Sequence, residues 1–189
     1  MKFLYALFIA FLIASPAFGE TSDPYEIYHR QQRSEVSPNL PEVNSYINKL
    51  HTSFSPNTVK AMFWLESRWT MEDGPDIGIG QINEPMVRKF YPRMNVQRLK
   101  TDWRYNLRMS AGILEDKLEW VKWRKRKPGW EGFCKRYCVE GLTDGELAVL
   151  AYNGMRADHS YLKLVKKYKD ERPWNAVPDN LNNNNKINK

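Results

Sequence analysis

The stretch from residue 63 to residue 83, FWLESRWTMEDGPDIGIGQIN, carries four carboxylates beside two tryptophans and a glycine-rich turn. Glu66 differs from the other three acids because it lies in an apolar segment flanked by Trp64 and Trp69. Partial removal from water raises the pKa of a carboxyl, which keeps it protonated and able to act as a general acid. The alternative is an exposed glutamate paired with Arg68 or another base, and the pattern alone does not choose between the two.

The other acids, Glu72, Asp73 and Asp76, lie in the glycine-rich loop. Asp73 fits a turn, where aspartate bonds to nearby backbone. Asp76 is a candidate second carboxylate, because hydrolytic glycosidases of the usual kind use a pair. The segment GIGQIN is not a nucleotide-binding loop, since it lacks the third glycine of the dinucleotide fingerprint and the Gly-Lys-Ser/Thr ending of the P-loop.

Helices are the elements that must position these residues. Ser55 and Pro56 predict a helix start, and the apolar positions continue to Glu66, which therefore lies near the helix end. The glycines and prolines of residues 70–83 predict irregular turns or a short hairpin. Further helix signals are Asn83 with Pro85, Asp102 before the longest pattern, the capping box Thr143–Glu146, and a last amphipathic stretch that contains Tyr161, Leu162, Leu164, Val165 and Tyr168. Strands and helices do not alternate, so the fold class is mainly α, with one domain at residues 38–175.

The first 19 residues have the parts of an export signal, namely Lys2, the apolar run FLYALFIAFLIA and a small-x-small site at residues 17–19. The alternative, a membrane anchor, needs roughly 20 apolar residues, and this run is shorter. We therefore expect cleavage before Glu20 and a periplasmic or cell-envelope location. Residues 20–37 are predicted to be a polar linker, and the asparagine-rich residues 176–189 a disordered tail.

The formal net charge of +7 suits a polyanionic partner such as cell-wall polymer, anionic lipid or nucleic acid. Charge does not choose among these partners. The two cysteines, Cys134 and Cys138, are predicted to form a disulfide in an oxidising compartment. The three histidines are scattered, so we expect neither a metal site nor a cofactor.

Four motifs in order carry a family resemblance: ESRW at 66–69, GIGQIN at 78–83, NLRMSAGIL at 106–114 and LAYNG at 150–154. Together they resemble the soluble lytic transglycosylase family, whose lysozyme-like fold is related to goose-type lysozyme. The resemblance implies cleavage of the β-1,4 bond between N-acetylmuramic acid and N-acetylglucosamine in peptidoglycan, with formation of a 1,6-anhydromuramyl product.

The resemblance also implies a role for each matching residue. Glu66 would protonate the leaving oxygen and then accept the proton of the muramyl C6 hydroxyl as that hydroxyl attacks C1. Ser67 would orient Glu66, and Gln81 would line the cleft near the scissile sugar. Tyr152 and Asn153 match the family's Tyr-Asn pair, with the tyrosine hydroxyl near Glu66 and the muramyl acetamide.

The chain departs from the family pattern in places. Gly80 stands where methionine is usual, and Gly154 comes one position early after the Tyr-Asn pair. The segment KWRKRKPGWEGFCKRYCVEGL, residues 122–142, lies outside the shared motifs. We interpret it either as a cationic lobe that contacts the polymer's peptide carboxylates or as a solvated surface loop.

Three other functions stay open. A goose-type hydrolase would use Glu66 together with Asp76, a non-catalytic assembly factor would only bind peptidoglycan, and a cationic membrane-active or nucleic-acid-binding protein would need only the charge. For the favoured enzyme we expect peptidoglycan strands as partner and a link to a secretion, conjugation or pilus apparatus. We expect neither nucleic-acid binding nor a stable membrane span after signal cleavage.

Overall fold

The computed structural model describes residues 40–71 and 74–176. The predicted signal peptide (1–19), the predicted linker (20–37) and the predicted tail beyond residue 176 lie outside the described residues, as do Glu72 and Asp73.

Helices dominate the described residues, which confirms the mainly α class. The described part of the chain contains eight α-helices: α1 (Leu40–Asn48), α2 (Pro56–Ser67), α3 (Glu84–Phe90), α4 (Val96–Thr101), α5 (Trp103–Lys125), α6 (Trp130–Tyr137), α7 (Asp144–Tyr152) and α8 (Ser160–Glu171). A 3-10 turn (Pro173–Asn175) follows α8. Strands β1 (Asp76–Ile77) and β2 (Ile82–Asn83) pair antiparallel, which confirms the short hairpin predicted within residues 70–83.

The predicted helix starts are confirmed by their caps. The side chains of Ser55, Asn83 and Asp102 accept the backbone N–H three residues later, at the starts of α2, α3 and α5. Thr143 and Glu146 form the predicted capping box of α7. Each cap satisfies a backbone donor that the first helical turn leaves unpaired. For this reason helix starts of this kind can be predicted from the sequence.

The main core surrounds α2, which packs against α8 and α1, while α5 packs against α7. Trp64 and Trp69 are fully buried and meet edge to face, with 5.3 Å between ring centroids, and Trp174 stacks on Trp69 at 5.7 Å. A second, smaller core of Ile77, Ile82, Val87, Leu99, Tyr105 and Ile113 lies under the hairpin. The hairpin is thus anchored by its own two inward-facing isoleucines, Ile77 and Ile82.

The cationic segment after α5 contains a helix. Trp130, Phe133, Cys134 and Tyr137 lie at helical spacing along α6, and Cys134 is buried against the main core. The solvated-loop interpretation of this segment is therefore wrong for residues 130–137. No helix in the described ranges combines the length and the apolarity that crossing a bilayer needs.

The predicted disulfide is also wrong, because both thiols are free in the structure. Cys134 packs inside, whereas Cys138 ends α6 in the left-handed conformation (φ 53°) and is exposed. Cys138 makes only a long contact, 3.9 Å from Sγ to the Lys135 carbonyl oxygen.

Candidate active site

Glu66 occupies the last turn of α2 and is half-buried. The helix ends directly after it, because Arg68 and Trp69 both adopt positive φ, at 54° and 60°. Arg68 turns inward and donates to the Trp64 carbonyl and to the Tyr168 hydroxyl, at 2.8 and 3.0 Å. The alternative interpretation, in which Glu66 is an exposed partner of Arg68, is therefore wrong.

Two polar side chains hold the carboxyl of Glu66. The Tyr161 hydroxyl, on α8, donates to Glu66 Oε1 at 2.5 Å. The Asn153 side chain, at the end of α7, also hydrogen-bonds Glu66. Contact of Asn153 with substrate stays a prediction. Tyr161 was missed as a site residue, because the sequence indicated only that it belongs to the apolar face of the last helix.

The surroundings of Glu66 favour its protonated form. Burial raises the pKa of Glu66 from its ordinary 4.5 to about 7, and the negative charge of Asp76 adds to the rise. The hydrogen bonds from Tyr161 and Asn153 act in the opposite direction. A carboxyl with a pKa near neutrality can both give and take a proton, which is the requirement for general acid and base catalysis in one group.

The hairpin presents Asp76 on the side of Glu66. Asp76 lies opposite Asn83 in the strand register, and Asn83 Nδ2 donates to Asp76 Oδ1 at 2.9 Å. This bond fixes the carboxylate of Asp76 while leaving its charge to act on Glu66. The charge of Asp76 thus acts on Glu66, and the role of Asp76 as a second carboxylate stays a prediction.

Ser67, the residue after Glu66, bonds to the glycine-rich loop. Its side chain is fully buried, and its hydroxyl donates to the Ile79 carbonyl at 2.8 Å. This bond ties the end of α2 to the glycine-rich loop. The two roles expected of Ser67, orienting Glu66 and binding substrate, stay predictions.

Asn106, on α5, makes three hydrogen bonds, two to the hairpin and its loop and one to α4. Its Oδ1 accepts from the Gly80 N–H, and its Nδ2 donates to the Ile77 and Leu99 carbonyls, all at 3.0 Å. Asn106 is fully buried, so the amide replaces water as the partner of these backbone groups. The motif NLRMSAGIL thus contributes a positioning residue that the sequence analysis did not single out.

Gly78 and Gly80 are required by close packing. A Cβ on Gly80 would lie 1.9 Å from Ser110 Oγ and 3.1 Å from the Tyr152 hydroxyl oxygen. A Cβ on Gly78, whose φ is 68°, would lie 2.3 Å from Asn106 Nδ2. Glycine at position 80, where the resembled family has methionine, is therefore the residue that lets α5 and Tyr152 approach the loop.

Tyr152 lies between the two cores and donates its hydroxyl to the Gly80 carbonyl at 2.7 Å. Burial raises the pKa of Tyr152 far above its ordinary value, and the nearby charge of Glu66 contributes to the rise. The Tyr152 hydroxyl is therefore neutral and near Glu66, but it donates its hydrogen bond to the Gly80 carbonyl in the loop. Gln81, at φ 46°, donates from Nε2 to the Gly78 carbonyl at 2.8 Å, and its contact with substrate stays a prediction.

A pocket of about 500 Å³ lies beside the end of α7. Ala151 and Met155, which flank Tyr152 and Asn153, form part of its wall. The other lining residues are Met86, Phe90, Tyr91, Asp116, Lys117 and Trp120. Aromatic and apolar walls with a few polar groups are typical of sites that take sugar rings and other small ligands.

No three metal-binding side chains lie together anywhere in residues 40–71 and 74–176. Comparison with protein-family models, with curated proteins and with solved structures finds no match.

Proposed function

We propose that this chain is an exported peptidoglycan lytic transglycosylase with a lysozyme-like fold, acting in the periplasm or cell envelope. The observation that carries the proposal is the Glu66 carboxyl, which has a pKa of about 7 and accepts a hydrogen bond from the Tyr161 hydroxyl at 2.5 Å. The order of the four motifs along the sequence adds independent support.

The proposed reaction needs one carboxyl. Protonated Glu66 donates its proton to the glycosidic oxygen as the bond to the muramyl C1 breaks. The resulting carboxylate then accepts the proton of the C6 hydroxyl while that oxygen bonds to C1, which restores Glu66 and closes the 1,6-anhydro ring. Tyr161 and Asn153 stabilise the carboxylate between the two steps, because both bonds favour the ionised form.

Hydrolysis is the second candidate, and Asp76 is the observation that favours it. Its charge acts on Glu66, and it is held by Asn83 at the hairpin. In a hydrolase Asp76 would activate water against C1, with Glu66 as the acid. The two reactions differ in product, because hydrolysis leaves a reducing end and transglycosylation an anhydromuramyl end.

The test is digestion of purified sacculi with residues 20–189, with muropeptide termini identified by mass spectrometry. Glu66→Gln and Asp76→Asn variants are run beside the unaltered chain. For the transglycosylase we expect anhydromuramyl ends that disappear with Glu66→Gln and persist with Asp76→Asn. A hydrolase gives ends heavier by one water and loses activity with either variant.

The absence of any product from folded protein would contradict both enzymatic proposals. Binding to sacculi by unaltered chain and Glu66→Gln alike would then support a non-catalytic assembly factor. As an extension of the main proposal, we propose that the enzyme opens local gaps in the wall for a secretion, conjugation or pilus apparatus. This extension depends on family analogy alone.

A further inference from the structure

The end of α5 and the whole of α6 concentrate the charge of the chain. Residues 120–138, which we name the tip, contain seven lysines and arginines and one acidic residue, Glu131. The net charge of the entire chain is +7, so the tip carries nearly all of it. A single-sign surface of this kind attracts polyanions over about a Debye length, roughly 8–10 Å at physiological salt.

Several of these cations have no acidic partner in the described ranges. Lys122 pairs with Glu119 at 2.7 Å, and Lys125 pairs with Asp144. Arg126, Lys127, Lys135 and Arg136 are exposed and form no ion pair with any residue of 40–71 or 74–176. α6 has eight residues and is therefore about 12 Å long, so these four cations occupy one small region.

The tip also exposes two indole rings. Trp123 is 47% exposed and Trp120 is 38% exposed, although both are large apolar side chains. Lys127 Nζ lies 5.1 Å from the centroid of the Trp123 ring, so cation and indole form one unit. The base of the tip is fixed, because Phe133 stacks on Trp130 at 5.2 Å and meets Trp120 edge to face at 6.0 Å.

We propose that the tip docks on the surface of a bilayer that contains anionic lipid. All five residues of 125–129 are exposed, so the three cations among them face solvent. A broad anionic surface can meet several of these cations at once, whereas a single polymer strand is normally held in a groove. Exposed tryptophan beside lysine and arginine is also the combination that lies well at the boundary between headgroups and acyl chains.

This inference does not depend on the proposed reaction. It would place the protein at a membrane surface without a spanning helix, with the tip bound to lipid. Cell-wall polymer, the other polyanion in the envelope, is a separate partner and becomes an outcome of the test.

The test measures sedimentation of residues 20–189 with vesicles of phosphatidylcholine alone and with 30% phosphatidylglycerol. The tip variant carries Arg126→Gln, Lys127→Gln and Lys135→Gln. A matched control loses the same charge elsewhere through Lys49→Gln, Lys167→Gln and Lys169→Gln. Each cation near an anionic bilayer contributes about 1 kcal/mol, or about fivefold in affinity, so the tip variant should bind the anionic vesicles about a hundredfold more weakly.

The control should lose far less affinity than the tip variant, and Trp123→Ala should weaken binding while the far-ultraviolet circular dichroism stays unchanged. The proposal is overturned if unaltered protein ignores anionic vesicles, or if the tip variant and the control lose affinity equally. It is also overturned if the tip variant binds vesicles normally but no longer binds sacculi, since the tip would then serve the polymer.

Discussion

The raised pKa of Glu66 predicts a pH-dependent difference in stability between the unaltered protein and Glu66→Gln. The folded state holds the proton of Glu66 up to about pH 7, whereas the unfolded state loses it near 4.5. Between these two values the folded state binds more protons, so the free energy of unfolding falls as the pH rises through this window. Glutamine carries no titrating proton and removes this contribution.

The magnitude follows from the same two values. The interval between 4.5 and about 7, at about 1.4 kcal/mol per pH unit, corresponds to about 3 kcal/mol. Glu66→Gln should therefore match the unaltered protein at pH 4 and exceed it by up to about 3 kcal/mol at pH 8. For a chain of this size that difference is about 6–12 °C in Tm.

The assay is urea and thermal unfolding of both proteins at intervals from pH 4 to pH 9. The test is how the difference in free energy of unfolding between the two proteins changes with pH. A difference that does not depend on pH reports only the exchange of an oxygen for an amide beside Tyr161. A difference that stays level from pH 4 to pH 9 would refute the raised pKa. A difference that rises below pH 4.5 would show a lowered pKa, contrary to the burial of Glu66.

Three further predictions follow. Under the proposed function, Tyr161→Phe removes a bond that lowers the pKa of Glu66, so activity should be lost at a higher pH than in the unaltered protein. A loss of activity at a lower pH would contradict this. Gly80→Ala should cost about 1–3 kcal/mol in urea unfolding because its Cβ meets Ser110, and Ser110→Gly in the same chain should recover part of the loss, whereas no recovery would exclude that clash. Dithiothreitol should leave Tm unchanged because Cys134 and Cys138 are free, and a fall in Tm with a gain of two mass units would show a disulfide.

Helix starts were predictable because their signals are local. The caps at Ser55, Asn83 and Asp102 each involve a side chain and a backbone N–H three residues later. Helix α6 carried an equally local signal in the spacing of Trp130, Phe133, Cys134 and Tyr137, but its dense positive charge hid the pattern. The apolar neighbours of Glu66 left burial and exposure open, and the motif resemblance singled this residue out. The structure shows that Glu66 is half-buried and has a raised pKa.

The contacts that complete the site were not predictable in this way. Tyr161 reaches Glu66 across 95 positions of sequence, and Asn106 reaches Gly80 across 26. Such pairs depend on how α8 and α5 pack, which no local propensity specifies. Ser67 is the neighbour of Glu66 in sequence, yet its hydroxyl bonds to the Ile79 carbonyl in the loop. Adjacency in sequence did not predict this contact.

Asn106 holds the glycine-rich loop in place, so Glu66 can act as an acid only in the folded protein. The groups around Glu66 belong to α2, the hairpin, α5, α7 and α8. Without the others, none of these elements raises the pKa of Glu66 above its ordinary value. A chain that crosses a membrane unfolded would therefore carry no working acid during transit. Under the proposed function, the protein becomes able to cut the wall only once it has folded at its destination. Export in the unfolded state would therefore keep the enzyme inactive until it reaches the wall.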